Sequence, residues 1–231
     1  MIITDFLERN AREFPNDVAL VEINPEIKED RRVTWKEFEL IEPSPKTSYR
    51  REITWGVFNE KANRFANLLL QRGVKKGDKV AILMMNGLEW LPIYFGILKT
   101  GALAVPLNFR YSSDEIEYCV NLAEVDILVF SNAFIGRVEE IADRISKGRL
   151  LIYVGEGCPG FADDYNSLSA NCSSQSPMVA LTDEDYAAIY FSSGTTGFPK
   201  AILHKHESLV HSCKVEQNHH GQQKDDVFLC I

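Results

Sequence analysis

Between two apolar runs, Ala187-Ala-Ile-Tyr-Phe191 and Ala201-Ile-Leu203, lie nine consecutive residues of a different kind: Ser192, Ser193, Gly194, Thr195, Thr196, Gly197, Phe198, Pro199 and Lys200. Such a stretch suits a polyphosphate. Gly194 and Gly197 carry no side chain, so backbone N–H groups can turn toward an anion and approach it closely. The hydroxyls of Ser192, Ser193, Thr195 and Thr196 add donors, Lys200 adds a mobile positive charge, and Pro199 stiffens the exit. Charge-assisted hydrogen bonds are worth roughly 1.5–3 kcal/mol each, so a few together can hold a triphosphate tail.

Ser, Gly, Thr and Pro also cluster in ordinary surface turns, and composition alone leaves both readings open. The stretch is not a Walker A loop. Its glycines are three apart, Phe198-Pro199 intervenes before the lysine, and Ala201 follows. The apolar flanks predict strand-loop-strand, so no helix dipole stands behind it.

Other polar clusters carry less. All five histidines fall between His204 and His220. His206 and His211 resemble a zinc-protease pair, but that motif needs a spacing of four. Five apart, the two diverge by about 140° on a helix. No metal site is assigned; solvated or capping roles are expected, with His219-His220 beside Gly221 easing a helix C-terminus. Asp225-Asp226 and Asp163-Asp164 read as structural pairs, since neighbours on a strand face opposite ways and turns favour aspartate. Trp35, Trp55 and Trp90 are assigned to the core or its rim.

The elements that must position the loop follow from periodicity. Val80–Met85 reads as a buried strand. Leu88–Thr100 reads as a helix, with Pro92 in its early turns and Gly101 as a left-handed cap. Leu103–Leu107 is a strand whose Pro106 marks its end or an edge position. Ser112 and Glu115 have capping-box spacing and open a helix through Ala123. Val125–Phe130, Ile135–Ile145 and Leu150–Val154 continue as strand, helix, strand. Upstream, Phe58, Ala62, Phe65, Ala66 and Leu69 recur at helical spacing, with Thr54 as N-cap and Gly73 as terminator. Strands alternating with helices predict an α/β fold: a mostly parallel sheet, or sheets, flanked by helices with right-handed crossovers. Residues 24–49, charged and carrying Pro25, Pro43 and Pro45, read as an insertion or long hairpin. Arg32-Val-Thr-Trp35 echoes Glu52-Ile-Thr-Trp55, too little for a repeat architecture. The loop Gly155–Pro177 marks a boundary, giving residues 1–178 as one α/β subdomain and 179–231 as the start of a second.

Several classes are excluded. The 231 residues carry a net charge of -8, without the clustered Lys and Arg that a nucleic-acid binder needs. Val80 to Leu107 is conspicuously apolar, but Glu89 and Lys99 cut it into runs shorter than the about 20 residues a bilayer needs. Five widely spaced cysteines without a CxxC pair, and no basic start followed by an apolar stretch, predict free thiols in a reducing cytoplasm.

At Tyr190-Phe-Ser-Ser-Gly-Thr-Thr-Gly-Phe-Pro-Lys200 the sequence resembles the phosphate-binding signature of the adenylate-forming (AMP-binding) superfamily: acyl-CoA synthetases, firefly luciferase and peptide-synthetase adenylation domains. Thr54-Trp55, Asn59 to Arg64, Gly73 to Ala81, Gly96, Lys99-Thr-Gly-Ala102, Pro106-Leu-Asn108 and His206 resemble the acyl-CoA synthetase branch. Asp225-Asp226 before Val227-Phe-Leu resembles that branch's next strand entry. Ala201 departs from the usual glycine, mildly. Family members run to roughly twice this length, so the chain is expected to be an N-terminal fragment, ending inside an apolar run.

The resemblance implies an ATP-dependent carboxylic acid–CoA ligase, for fatty or related acids, acting through an acyl-adenylate. ATP, Mg2+ (with ligands beyond Ile231) and coenzyme A would serve it, and residues 192–200 would hold the β- and γ-phosphates. No complete catalytic set lies in these residues, so the chain by itself is expected to be inactive. The rival readings are a non-catalytic nucleotide-binding or scaffolding module, and an adenylation domain feeding a carrier protein. Sequence names neither the acid nor the oligomeric state, and a homodimer stays open.

Overall fold

The computed structural model describes residues 1–23, 50–145, 149–192, 199–223 and 225–229. A first layer is built by α1 (Thr4–Glu13), the antiparallel pair β1 (Val18–Ile23) and β2 (Arg50–Thr54), and α2 (Trp55–Gln71). Thr54 caps α2, its hydroxyl accepting from Val57 N. Gly73, at φ 85°, closes it in the left-handed region that only glycine enters cheaply. The 24–49 segment and its Trp35 echo lie outside the described residues.

The central element is a seven-stranded sheet in the order β7-β6-β5-β3-β4-β8-β9. Its members are β3 (Lys79–Leu83), β4 (Leu103–Pro106), β5 (Ile127–Ser131), β6 (Leu150–Val154), β7 (Asp163–Asp164), β8 (Tyr186–Ser192) and β9 (Lys200–Lys205). Every pairing is parallel except β8 with β9. The chain is a mostly parallel α/β fold. Between strands run α3 (Trp90–Lys99), α4 (Ser113–Leu122), α5 (Ile135–Ile145) and α6 (Tyr165–Ala170), and α7 (His206–His220) follows β9.

Alternation along the strands divides the core in two. Val80, Ile82, Ala104 and Val129 face α2 and α3, while Ala81, Leu83, Val105 and Leu128 face α4 and α5. α3 is covered on its far side by α1 and α2 through Leu7, Phe58, Ala62 and Phe95. That double cover explains the apolar run around Ile93–Leu98. Among the described residues no helix is long and apolar enough to cross a membrane. α2 meets α3 closely at Gly96, where an added Cβ would stand 2.8 Å from the Ala62 carbonyl oxygen.

Two polar devices tie the layers. Lys99, its side chain 2% exposed, donates to Glu8 Oε1 at 2.5 Å, and Ser176 donates to the same oxygen at 2.8 Å. Burial pulls the Lys99 pKa down, an effect the Glu8 carboxylate partly offsets. Along α2, Asn63 donates to Ser174 O, Arg64 to Ala170 O and Cys172 O, and Asn67 to Ser173 O and Gln175 O. The irregular stretch after α6 is therefore pinned carbonyl by carbonyl.

The predicted local signals recur. Ser112 and Glu115 form the capping box, Gly101 (φ 79°) ends α3, and α5 and β6 have the expected bounds. β4 does end at Pro106, but it is interior, between β3 and β8, not an edge strand. The β8 pairing touches β4 at Ala104↔Ala188, so the missing proline N–H breaks no ladder bond there. The strand expected at Val227 is not formed: residues 225–229 are irregular and exposed. Asp226 caps a turn there instead, accepting from Gln223 N at 2.7 Å. Asp164 N-caps α6 and Asp163 pairs with Arg72 at 3.2 Å, structural roles as expected. Trp55 and Trp90 are half-buried. Cys119, Cys158, Cys172 and Cys213 are free thiols. Burial pushes the Cys119 thiol up to about 12, so it is an inert core residue.

Candidate functional site

β8 runs parallel to β4, so the turn leaving Ser192 emerges at the carboxyl ends of the parallel strands. In open α/β sheets ligands bind outside those ends, where successive connections leave to opposite faces. β3 continues into α3 on one face and β4 into α4 on the other, and β8 lies directly beside β4. Ser192, the described start of the nine-residue stretch, thus stands next to the crevice this topology creates.

Its two ends are well defined. Ser192 lies opposite Lys200 in the β8–β9 ladder, with Phe191 opposite Ala201 and Tyr190 opposite Ile202. Cross-strand partners share a face, so the Ser192 hydroxyl and the Lys200 side chain leave the hairpin on one side. Pro199 is buried, Ser192 half-buried and Lys200 exposed. Among the described residues, no carboxylate lies within ion-pair distance of the Lys200 ammonium. A lysine without an acidic partner among the described residues, beside a hydroxyl at a strand mouth, fits an anionic ligand. Ser193, Gly194, Thr195, Thr196, Gly197 and Phe198 lie outside the described residues.

The hairpin root is firmly seated. Ala187 and Ala188 are fully buried, an anchor that the apolar run predicted. At the other end, Asp185 accepts from Lys76 Nζ at 2.7 Å and from Thr182 N at 2.8 Å. The Lys76 bond holds its carboxyl below the usual range. The Asp185 carbonyl receives His206 N, and the Asp183 carbonyl receives Glu207 N, so the first amides of α7 are satisfied by that turn.

Two features were not legible beforehand. The Tyr94 and Tyr190 hydroxyls meet at 2.7 Å, with Trp90 stacked on Tyr94 at 5.4 Å and His204 against Tyr190 at 4.9 Å. Burial pushes both phenols above their ordinary range. Each tyrosine lies inside a separate apolar stretch, and no local signal pairs residues so far apart in sequence. His206 corrects an expectation. It is neither solvated nor a cap but 1% exposed, with both ring nitrogens lacking a partner among the described residues. Burial holds its pKa below the ordinary value, against the opposing pull of Asp185, Asp5 and Asp183. His211, on the other side of α7, is exposed. Among the described residues no three His, Cys, Asp or Glu side chains form a metal-sized group.

The model of the AMP-binding enzyme family matches residues 43–231. The chain belongs to the AMP-binding enzyme family. Its relatives include a medium/long-chain-fatty-acid and 3-oxocholest-4-en-26-oate CoA ligase of Mycolicibacterium smegmatis. That protein is 32% identical over 160 residues, which cover 67% of this chain and 29% of the relative. A crotonobetaine/carnitine–CoA ligase of Salmonella paratyphi B is 33% identical over 179 residues, 75% of this chain and 34% of that protein. Among solved structures, an anthranilate CoA ligase in complex with anthranoyl-AMP superposes with a TM-score of 0.77 at 26% identity. The match covers 93% of this chain and 36% of that one. The inhibitor-bound N-terminal domain of FACL13 from Mycobacterium tuberculosis gives 0.67 at 26% identity, over 90% and 45% of the two chains. This AMP-binding chain therefore spans about a third of the length of the curated relatives it matches.

Proposed function

We propose that this AMP-binding chain supplies the polyphosphate-holding part of an ATP-dependent carboxylic acid–CoA ligase for fatty or related acids. The reaction class is acid activation: a carboxylate oxygen bonds to the α-phosphorus of ATP, pyrophosphate leaves, and a CoA thiol then displaces AMP. Residues 192–200 hold the β- and γ-phosphates. Ser192, Ser193, Thr195 and Thr196 donate through hydroxyls and Gly194 and Gly197 through backbone amides, with Phe198 and Pro199 shaping the exit. Lys200 neutralises charge that grows on the leaving pyrophosphate, and such preorganised donors act most strongly on charge developing in the transition state. Bound Mg2+ would screen the same phosphates, with ligands outside this sequence.

The carrying observation is the pairing of Ser192 with Lys200, which has no carboxylate partner among the described residues, at the carboxyl edge of the sheet. The relatives described above are CoA ligases by name, which favours a CoA thiol over a carrier protein as acceptor. Residues 179–231 read as the opening of a second subdomain, and the free thiols support a cytoplasmic site.

Lys200→Ala in a polypeptide extended to the relatives' length is expected to slow acid-dependent ATP–pyrophosphate exchange by at least about tenfold, the loss of one charged contact. Unchanged exchange removes Lys200 from the mechanism. The 231-residue chain alone, given ATP, Mg2+, CoA and carboxylic acids, is expected to release no AMP; clear turnover overturns that reading.

A further inference from the structure

Ala188 is the β8 residue in register with β4, and β4 itself ends at Pro106. By that register Pro106 stands level with Tyr190, so Phe191 and Ser192 run past the end of β4, with β9 as their paired strand. β9 is an edge strand, exposed from Lys200 to Leu203. A two-stranded ribbon without a further neighbour is marginally stable by itself. Something besides the ladder must fix where Ser192 and Lys200 stand.

The phenol pair occupies that place. Tyr190 is two residues before Ser192 on the same strand, so both side chains leave β8 on one face. That face looks toward α3, where the Tyr94 and Tyr190 hydroxyls meet at 2.7 Å. Tyr94 is buried in the core, and Trp90 one turn earlier stacks on its ring at an interplanar angle of 13°. On the other side His204, in β9, packs its ring on Tyr190. Both strands of the hairpin are thereby joined to α3, which packs against the sheet, α1 and α2. A hydrogen bond in a partly buried, low-dielectric setting is directional and stronger than in water.

We propose that Tyr94 and Tyr190 are positioning residues for the phosphate-holding site. Their hydroxyl–hydroxyl bond fixes the β8 tail, and with it Ser192 and Lys200, in the arrangement that receives a polyphosphate. The inference rests on the reading of residues 192–200 given above. The pair touches no ligand; it lowers the ordering cost of the residues that do.

The test uses the 231-residue chain and inorganic tripolyphosphate, without nucleoside or metal, titrated calorimetrically at low salt. Tyr190→Phe and Tyr94→Phe keep the rings and remove one hydroxyl each. Each is expected to weaken binding by about 3- to 10-fold, the affinity equivalent of one net hydrogen bond. The double variant is expected to be no weaker than either single one, because one shared bond is lost once. Tyr186→Phe, an exposed phenol at the start of β8, should bind like the parent chain. A purely structural role would lower the melting temperature of the Phe variants and leave the dissociation constant at 10 °C unchanged; that result, or additive losses, overturns the proposal. Should one Phe variant fail to fold, the other removes the same bond from the opposite side and decides alone. If the parent chain itself does not bind tripolyphosphate, the site reading fails and this inference falls with it. Parent binding with unaffected variants sinks the positioning role alone.

Discussion

Replacing Glu8 by glutamine should destabilise the chain more than replacing its partner Lys99 by methionine. The Lys99 side chain is 2% exposed, whereas Glu8 keeps 42% of its side-chain surface in water. Glu8→Gln leaves an ammonium in the dry layer between α1 and α3, facing a neutral amide. Orphaning a buried charge costs about 3–5 kcal/mol, and because the amide oxygen still accepts a bond we take the lower end, about 3 kcal/mol. Lys99→Met preserves the stem volume and returns a half-hydrated carboxylate to water, for about 1 kcal/mol or less. At about 2–4 °C per kcal/mol for a domain of this size, the two melting temperatures should fall by about 6–12 °C and about 2–4 °C. Circular dichroism melts at pH 7 of both variants and of the double variant measure this. The double should behave like Lys99→Met, since glutamine costs little once the ammonium is gone. A Lys99→Met loss equal to or above that of Glu8→Gln, or a double equal to the sum, would refute the idea that desolvated charge on Lys99 governs the pair.

Gly96→Ala should cost about 1–3 kcal/mol in urea unfolding despite alanine's better helix propensity, because its Cβ would meet the Ala62 carbonyl at 2.8 Å and Phe65 at 3.0 Å. Stability should fall as pH drops below about 6.5, since the unfolded chain takes up a proton that buried His206 refuses. The folded pKa is depressed, so the effect vanishes above that pH, and denaturant titrations of His206→Leu at pH 7.5 and 5.5 should show a smaller decline than the parent. Asn67→Ala removes the donors to Ser173 O and Gln175 O, and amides of residues 173–178 should exchange about tenfold faster while α5 is unchanged. Equal rates would show that Asn63 and Arg64 suffice to hold the stretch.

What could be read beforehand had short-range causes. Thr54 finds Val57 N, Ser112 finds Glu115, and Gly73 and Gly101 take positive φ where a helix must stop, each within a few residues. The alternation of apolar strands with amphipathic helices likewise specified β3 through β6, because both faces of a parallel strand are buried and leave continuous apolar runs. The misreadings needed partners from elsewhere in the chain. Val227-Phe-Leu has strand propensity but no neighbouring strand among the described residues, so it stays irregular. β4 does end at Pro106, one of the two readings offered for it; only the edge alternative failed, because β8 pairs at Ala104, a matter of register invisible along β4 itself. His206 looked polar and exposed; the Asp183–Asp185 turn accepts the amides of His206 and Glu207, and the His206 ring is buried beneath it. For the candidate site, residue types pointed to residues 192–200, while the contacts around the described ends of that stretch, Tyr94 with Tyr190 and Lys76 with Asp185, come from remote segments.

The strand order also sets a timetable for synthesis. β4 leaves the ribosome well before β8, yet β8 must become its neighbour, with β5, β6 and β7 made in the interval on the far side of β3. Throughout that interval the inner edge of β4 is unpaired and apolar, an open template for misassembly of the nascent polypeptide. Non-local parallel pairing is slow because its loop-closure entropy is spent before any contact forms. Chaperone dependence should therefore peak while residues 107–186 are emerging and drop once β8 has docked.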